Sequence, residues 1–220
     1  MSGELYSQLI GAAAGTLLLS AVMVVWRRSL SVDLRLLAVQ GVALGVLVAV
    51  MALHEGDPLL LLLVALMVLV LKAVVLPVAL ARGMAATQAD HERAPLLNPT
   101  ASLLACVGLA GLAYVVSAPL ASSGSDPALR AVPIGVTLVL IGLLTLTTRR
   151  RAMSQLIGFV MMDNGIATVA LLTAGGVPLV VELGVSLDVL LVVLILLVLT
   201  SRMQAAFGGT DLDELKELHD

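Results

Sequence analysis

Seven apolar stretches of membrane-crossing length divide the chain, at about residues 5–26, 36–53, 58–81, 100–121, 132–148, 153–174 and 182–202. An α-helix rises ~1.5 Å per residue, so roughly 20 apolar residues span a hydrocarbon core. Within hydrocarbon every backbone N–H and C=O must be paired inside the protein, and a helix does this within one segment. The spacing therefore predicts an all-α integral membrane protein of about seven transmembrane helices, with no long stretch left for a water-soluble domain. A composition of 60% hydrophobic and 12% charged residues over 220 positions excludes an ordinary soluble domain.

Charge is shared unevenly among the loops. Arg27, Arg28 and Arg35 follow the first stretch, Arg82 and Arg93 the third, Arg149, Arg150 and Arg151 the fifth, and Arg202 and Lys216 the seventh. The alternate loops hold Arg130 beside Glu4, Glu55, Asp57, Asp126 and Glu182. Ten of the twelve basic residues thus fall on one side. The positive-inside rule then predicts an N-terminus outside and a C-terminus in the cytoplasm. The first stretch has an acidic start and is followed by its arginines, so it reads as a retained helix rather than a cleaved signal.

Cys106 stands alone in the fourth stretch, and His54, His91 and His219 all fall in loops or the tail. No disulfide framework, metal cluster or haem held between helices is expected. The chain reads as carrying no cofactor, no electrons and no redox or hydrolytic site of its own, and nothing in it points to nucleic acid.

Local signals fill in the rest. Tyr6 and Trp26 flank the first stretch as interface anchors. Gly11 and Gly15, and Gly41 and Gly45, place small residues four apart, which suits close helix packing. Asp57-Pro58 and Asn98-Pro99 each set a capping side chain before a proline at the first helical position. The segment from Met84 to Pro99 reads as the longest cytoplasmic loop. The tail, residues 206–220, is acidic; Thr210 with Asp213 forms a capping box and Leu212, Leu215 and Leu218 recur at helical spacing. A short helix docked on a protein partner and a frayed tail both fit it, whereas binding to anionic lipid does not.

Three ionisable residues fall well inside the stretches: Lys72 in the third, Asp163 in the sixth and Asp188 in the seventh. An Asp or Lys at mid-membrane costs about 2.5–3.5 kcal/mol on insertion scales, against about 0.3–0.6 gained per Leu, Ile, Val or Phe. The seventh stretch has fourteen such residues between Leu183 and Leu199 and absorbs its Asp easily. The sixth has eight between Leu156 and Leu172. Its gain of roughly 2.4–4.8 kcal/mol is mostly cancelled by Asp163, so it must depend on its neighbours. Asp163 lies ten residues beyond Met153, and Lys72 ten residues before Arg82. Both are then roughly 15 Å deep, at matching level, and can pair; a partner chain is the alternative for Lys72. Asp188, fourteen residues before Arg202, is roughly 21 Å deep. Pro77 removes the amide that would bond the Ala73 carbonyl, so a kink admitting water beside the lysine is expected. Intramembrane ionisable groups mark ion or proton paths, and a structural ion pair is the bland alternative. Glu182 reads as a solvated residue at the outer interface.

The last three stretches, with "RRRAMSQLIGFVMMDNGIATVALL" and "ELGVSLDVLLVVLILLVLTSRM", resemble the small three-helix K subunit of respiratory complex I and its relative, the C component of multi-subunit cation/proton antiporters. That family's Ile-Gly-x-Glu pattern would put its acid at Val160; here the carboxyl comes three residues later, at Asp163, close to the same helix face. The shifted form, Met162-Asp163-Asn164-Gly165 and Leu187-Asp188-Val189, is similar to component E of hydrogenase-4-type complexes, as is Leu71 to Pro77. The resemblance to the K subunit covers about residues 132–205, and that to component E nearly the whole chain. It divides the chain into an N-terminal four-helix segment (1–131), a three-helix segment like the K subunit (132–205) and the acidic tail (206–220).

What the resemblance implies is a non-redox membrane subunit of a proton-translocating oxidoreductase in a bacterial or archaeal cytoplasmic membrane. Asp163 and Asp188 would be its proton-path carboxyls, with Lys72 a neighbouring charge. The implied partners are antiporter-like large membrane subunits, the lipid bilayer, and a cytoplasmic peripheral arm met through the tail. A subunit of a Na⁺/H⁺ antiporter without a redox arm, and a purely structural membrane scaffold, remain open alternatives.

Overall fold

The computed structural model describes residues 2–27, 29–55, 58–87, 98–122 and 126–174, together with Leu190, Val193, Leu194 and Val198. Its helices are α1 (Gly3–Trp26), α2 (Leu30–Glu55), α3 (Pro58–Leu69), α4 (Leu76–Thr87), α5 (Pro99–Ser122), α6 (Val132–Thr148) and α7 (Ala152–Ala174). A π-helical segment, Val70–Val75, joins α3 to α4 without a break, and a 3-10 turn, Pro127–Ala131, leads into α6. Among the described residues six helical rods are long and apolar enough to cross a membrane, and no strand is formed. The seventh stretch and the tail, with Glu182, Asp188 and the Thr210–Asp213 box, lie outside the described residues.

The helices run further than their apolar cores. α2 starts at Leu30 rather than near residue 36, because the Ser29 carbonyl accepts the amides of Val32 and Asp33 and carries the polar first turn. α4 reaches Thr87 and takes up the first residues of the expected cytoplasmic loop. Of the two expected caps, that of Asn98 forms and Asp57 lies outside the described residues; Asp126 supplies a further cap that was not among the expectations. Asn98 Oδ1 accepts the Ala101 amide at 2.8 Å, and Asp126 Oδ1 accepts that of Ala128 at 2.9 Å.

The centre is built by α1, α2, α6 and α7, with the α3–α4 rod against α2 and with α5 on α6. α5 is the outlier: Leu104, Val107, Val115 and Val116 are all exposed, an apolar face suited to lipid or another chain. α7 is the reverse. Its crossing window is 67% buried, the largest share of the six rods, so the least apolar of the expected spans sits where protein shields it best. This fits the insertion argument, since a helix that gains little from lipid must gain from its neighbours.

Glycines set the α6–α7 contact. A Cβ on Gly142 would come within 2.6 Å of Met162 Cα, on Gly158 within 2.6 Å of the Leu146 amide nitrogen, on Gly165 within 2.5 Å of that of Val139. Gly135 meets Val169 Cγ2 at 2.8 Å, and all four pairings keep one antiparallel register. Of the two small-residue pairs read from the sequence, Gly41 and Gly45 do pack, against Lys72 and Leu69. Gly11 and Gly15 have nothing within 4 Å. Tyr6 also departs from its reading as a headgroup anchor: it is buried and stacked on His54, ring centroids 4.0 Å apart, tying the start of α1 to the end of α2. Trp26 is exposed.

Candidate functional site

Lys72 on the π-helical segment and Asp163 on α7 form a salt bridge inside the bundle. Lys72 Nζ donates to Asp163 Oδ2 at 2.9 Å, and the two side chains are 1% and 6% exposed. Both elements are shaped to bring these groups together. In the π segment the Leu76 amide bonds the Leu71 carbonyl, five residues back, and Pro77 follows with no amide to give. The kink expected from Pro77 thus takes the form of a π-helical register, centred on the lysine itself. Opposite it, α2 presents Gly41, where a Cβ would lie 2.5 Å from both the Lys72 carbonyl oxygen and the Ala73 nitrogen. Only glycine lets α2 approach the rod this closely. On the far side, Gly142 and Gly165 draw α6 against Met162 and the turn that follows Asp163.

A buried charge without a counter-charge is costly, whereas a hydrogen-bonded pair at this distance offsets much of its own desolvation. As ammonium and carboxylate the pair is neutral overall, and one short hydrogen bond joins the two groups.

A second polar pair lies next to the first. Asn164 Nδ2 donates to Gln40 Oε1 at 3.1 Å, with both residues buried, and the Thr168 hydroxyl donates to the Asn164 carbonyl at 2.7 Å. Asn164 follows Asp163 and Gln40 precedes Gly41, so α7 is braced on the α3–α4 rod by its charge and on α2 by its amide. Sequence reasoning missed Gln40 and Asn164 because it weighs only formal charges. The available signal is any amide side chain in the middle of an apolar stretch, since its desolvation also requires a partner.

Arg149, in the sequence only a topology signal, does more. Its Nη2 donates to the carbonyls of Val24, Val25 and Arg27 at 3.2, 3.3 and 3.2 Å, with the residue 6% exposed. These carbonyls lie at the C-terminal end of α1, where the helix supplies no internal donor. Gln155 Nε2 donates in turn to the Arg149 carbonyl at 3.1 Å. The turn between α6 and α7 is thereby fixed to α1.

The structure brings together Lys72 and Asp163 of the three expected ion-path residues; Asp188 lies outside the described residues. Among the described residues no group of three or more His, Cys, Asp or Glu side chains converges as a metal site would. Cys106 is buried in α5.

Comparison with known proteins gives a relative that matches along the whole chain and others that match along part of it. An uncharacterized protein of Mycobacterium tuberculosis, Rv0085, is 45% identical over 221 residues, covering all of both chains. Hydrogenase-4 component E of Escherichia coli K12 and that of Shigella flexneri are each 32% identical over 120 residues, 53% of this chain and 54% of theirs. No family model matches the chain, and no solved structure matches it.

Proposed function

For a chain that belongs to one family with the mycobacterial protein Rv0085, we infer the role of a membrane subunit of a hydrogenase-type, proton-translocating complex. The observation that carries the reading is the Lys72–Asp163 salt bridge, two opposite charges brought together at mid-depth in crossing helices. The half-length similarity to hydrogenase-4 component E supplies the class of complex.

In this reading Asp163 is a relay carboxyl and Lys72 its partner. In this role Asp163 takes up and releases H⁺ during turnover, with Lys72 as the charge beside it. Asp188 is a second carboxyl of the same path, and residues 132–205 correspond to the small K subunit of complex I. Electron transfer belongs to partner subunits. The chain would meet antiporter-like large membrane subunits through apolar faces such as that of α5, and a peripheral arm through its tail.

The test is purification of the tagged full-length chain in mild detergent, with the co-purifying chains identified by mass spectrometry. Antiporter-like membrane subunits together with a nickel–iron or iron–sulfur arm support the reading. Antiporter-like chains without a redox arm would replace it by a cation/proton antiporter, and recovery of the chain alone would contradict it.

A further inference from the structure

Gln40 and Asn164 are 0% and 1% exposed, and their mutual hydrogen bond engages only two of their four polar side-chain atoms. Gln40 Nε2, a donor, and Asn164 Oδ1, an acceptor, have no hydrogen-bond partner among the described residues. Exchanging the oxygen and nitrogen of both amides leaves the same balance, one donor and one acceptor over. Buried polar groups in proteins are paired with very few exceptions, and ordered water is the usual partner where protein supplies none. A donor and an acceptor left over on two bonded side chains are what one water molecule, itself donor and acceptor, can satisfy together. Both amides are chain neighbours of residues at the charged pair. Asn164 adjoins Asp163 in sequence, and Gln40 adjoins Gly41, whose Cα rests against the backbone of Lys72.

We propose that Gln40 and Asn164 bind a water molecule within the membrane core, beside the Lys72–Asp163 pair, as the next station of its proton path. The path itself rests on the function proposed above; the water site does not. An incoming proton adds to the water oxygen, a different O–H bond of that water breaks as its proton passes toward the Asp163 carboxylate, and the water is left unchanged. Neither amide titrates. Their part is to hold the water, which makes them positioning residues.

The test is water-edited solid-state NMR on the full chain reconstituted in phospholipid bilayers, with ¹⁵N in glutamine and asparagine side chains. The spectrum is sparse, since the asparagines are Asn98 and Asn164 and the glutamines Gln8, Gln40, Gln88, Gln155 and Gln204. We expect the Gln40 and Asn164 side-chain amides to receive magnetisation from water severalfold faster than the backbone amides of Leu44 and Ala167, which are equally buried. In Gln40→Leu the Asn164 signal should lose this transfer, while the swap Gln40→Asn/Asn164→Gln, which keeps one donor and one acceptor, should retain it. Transfer no faster than at Leu44 and Ala167, or side-chain amides coupled instead to another side chain, would overturn the site; the wild-type spectrum decides this even if a variant fails to insert. Proton translocation is measured separately, so loss of the water site and loss of the proton-path role are distinguishable.

Discussion

Breaking the Lys72–Asp163 pair from one side should cost far more than removing it whole. Replacing Lys72 by Met leaves the Asp163 carboxyl, 5% exposed, without the ammonium it bonds, and replacing Asp163 by Leu leaves the Lys72 ammonium, 2% exposed, without that carboxylate. Removing one partner of a buried pair costs about 3–5 kcal/mol, because the remaining group stays desolvated without the charge that offset it. The double variant Lys72→Met/Asp163→Leu removes both charges of the pair, and substituting a whole buried pair by apolar residues is often neutral or stabilising by about 1–4 kcal/mol. The double variant should therefore lie close to wild type or above it, while each single variant falls well below. The assay is unfolding of the full chain in bicelles by titration with denaturing detergent, read by helical circular dichroism, for all four members of the cycle. Single-variant losses that simply add in the double variant would refute the coupling and with it the significance of the 2.9 Å contact.

Other perturbations report on how the pair is held. Gly41→Ala puts a Cβ 2.5 Å from the Lys72 carbonyl and should cost about 1–3 kcal/mol by the same titration, also weakening the Lys72–Asp163 coupling. Gly158→Ala, which meets the Leu146 backbone, should destabilise by a similar amount, whereas Gly11→Ala, with nothing within 4 Å, should be neutral or slightly favourable. Arg149→Ala leaves the end of α1 without its donor and should cost about 1.5–3 kcal/mol; Arg149→Lys should recover only part of this, since it lacks the planar fork.

Much of this is legible in the sequence, for reasons that differ by residue. Apolar run length places six of the expected helices, because the hydrocarbon requirement acts on each segment alone. Equal depth from the arginine-bearing ends brings Lys72 and Asp163 level, and depth is the one coordinate that helix rise fixes without knowledge of packing. Rotation about the helix axis is not fixed in that way. Gly11 and Gly15 look like Gly41 and Gly45 on paper, yet only the latter face a neighbour, a choice made by the whole arrangement of α1, α2 and the α3–α4 rod. The π-helical register at Val70–Val75 is likewise hidden: Pro77 announces a disturbance, but whether it resolves as a kink or an extra residue per turn depends on what the lysine must reach. Gln40 and Asn164 escape notice because an amide carries no charge to draw attention, although its burial makes the same demand for a partner.

The most direct measurement of the central claim is proton translocation by the assembled complex carrying Asp163→Asn, in inverted membrane vesicles where every partner chain is verified to be present. The substitution is close to isosteric and keeps a hydrogen-bonding side chain beside Lys72, but cannot cycle a proton. The expected result is loss of proton pumping in those vesicles where the Asp163→Asn complex is fully assembled. Wild-type pumping by a fully assembled Asp163→Asn complex would contradict it and leave the buried pair a structural brace.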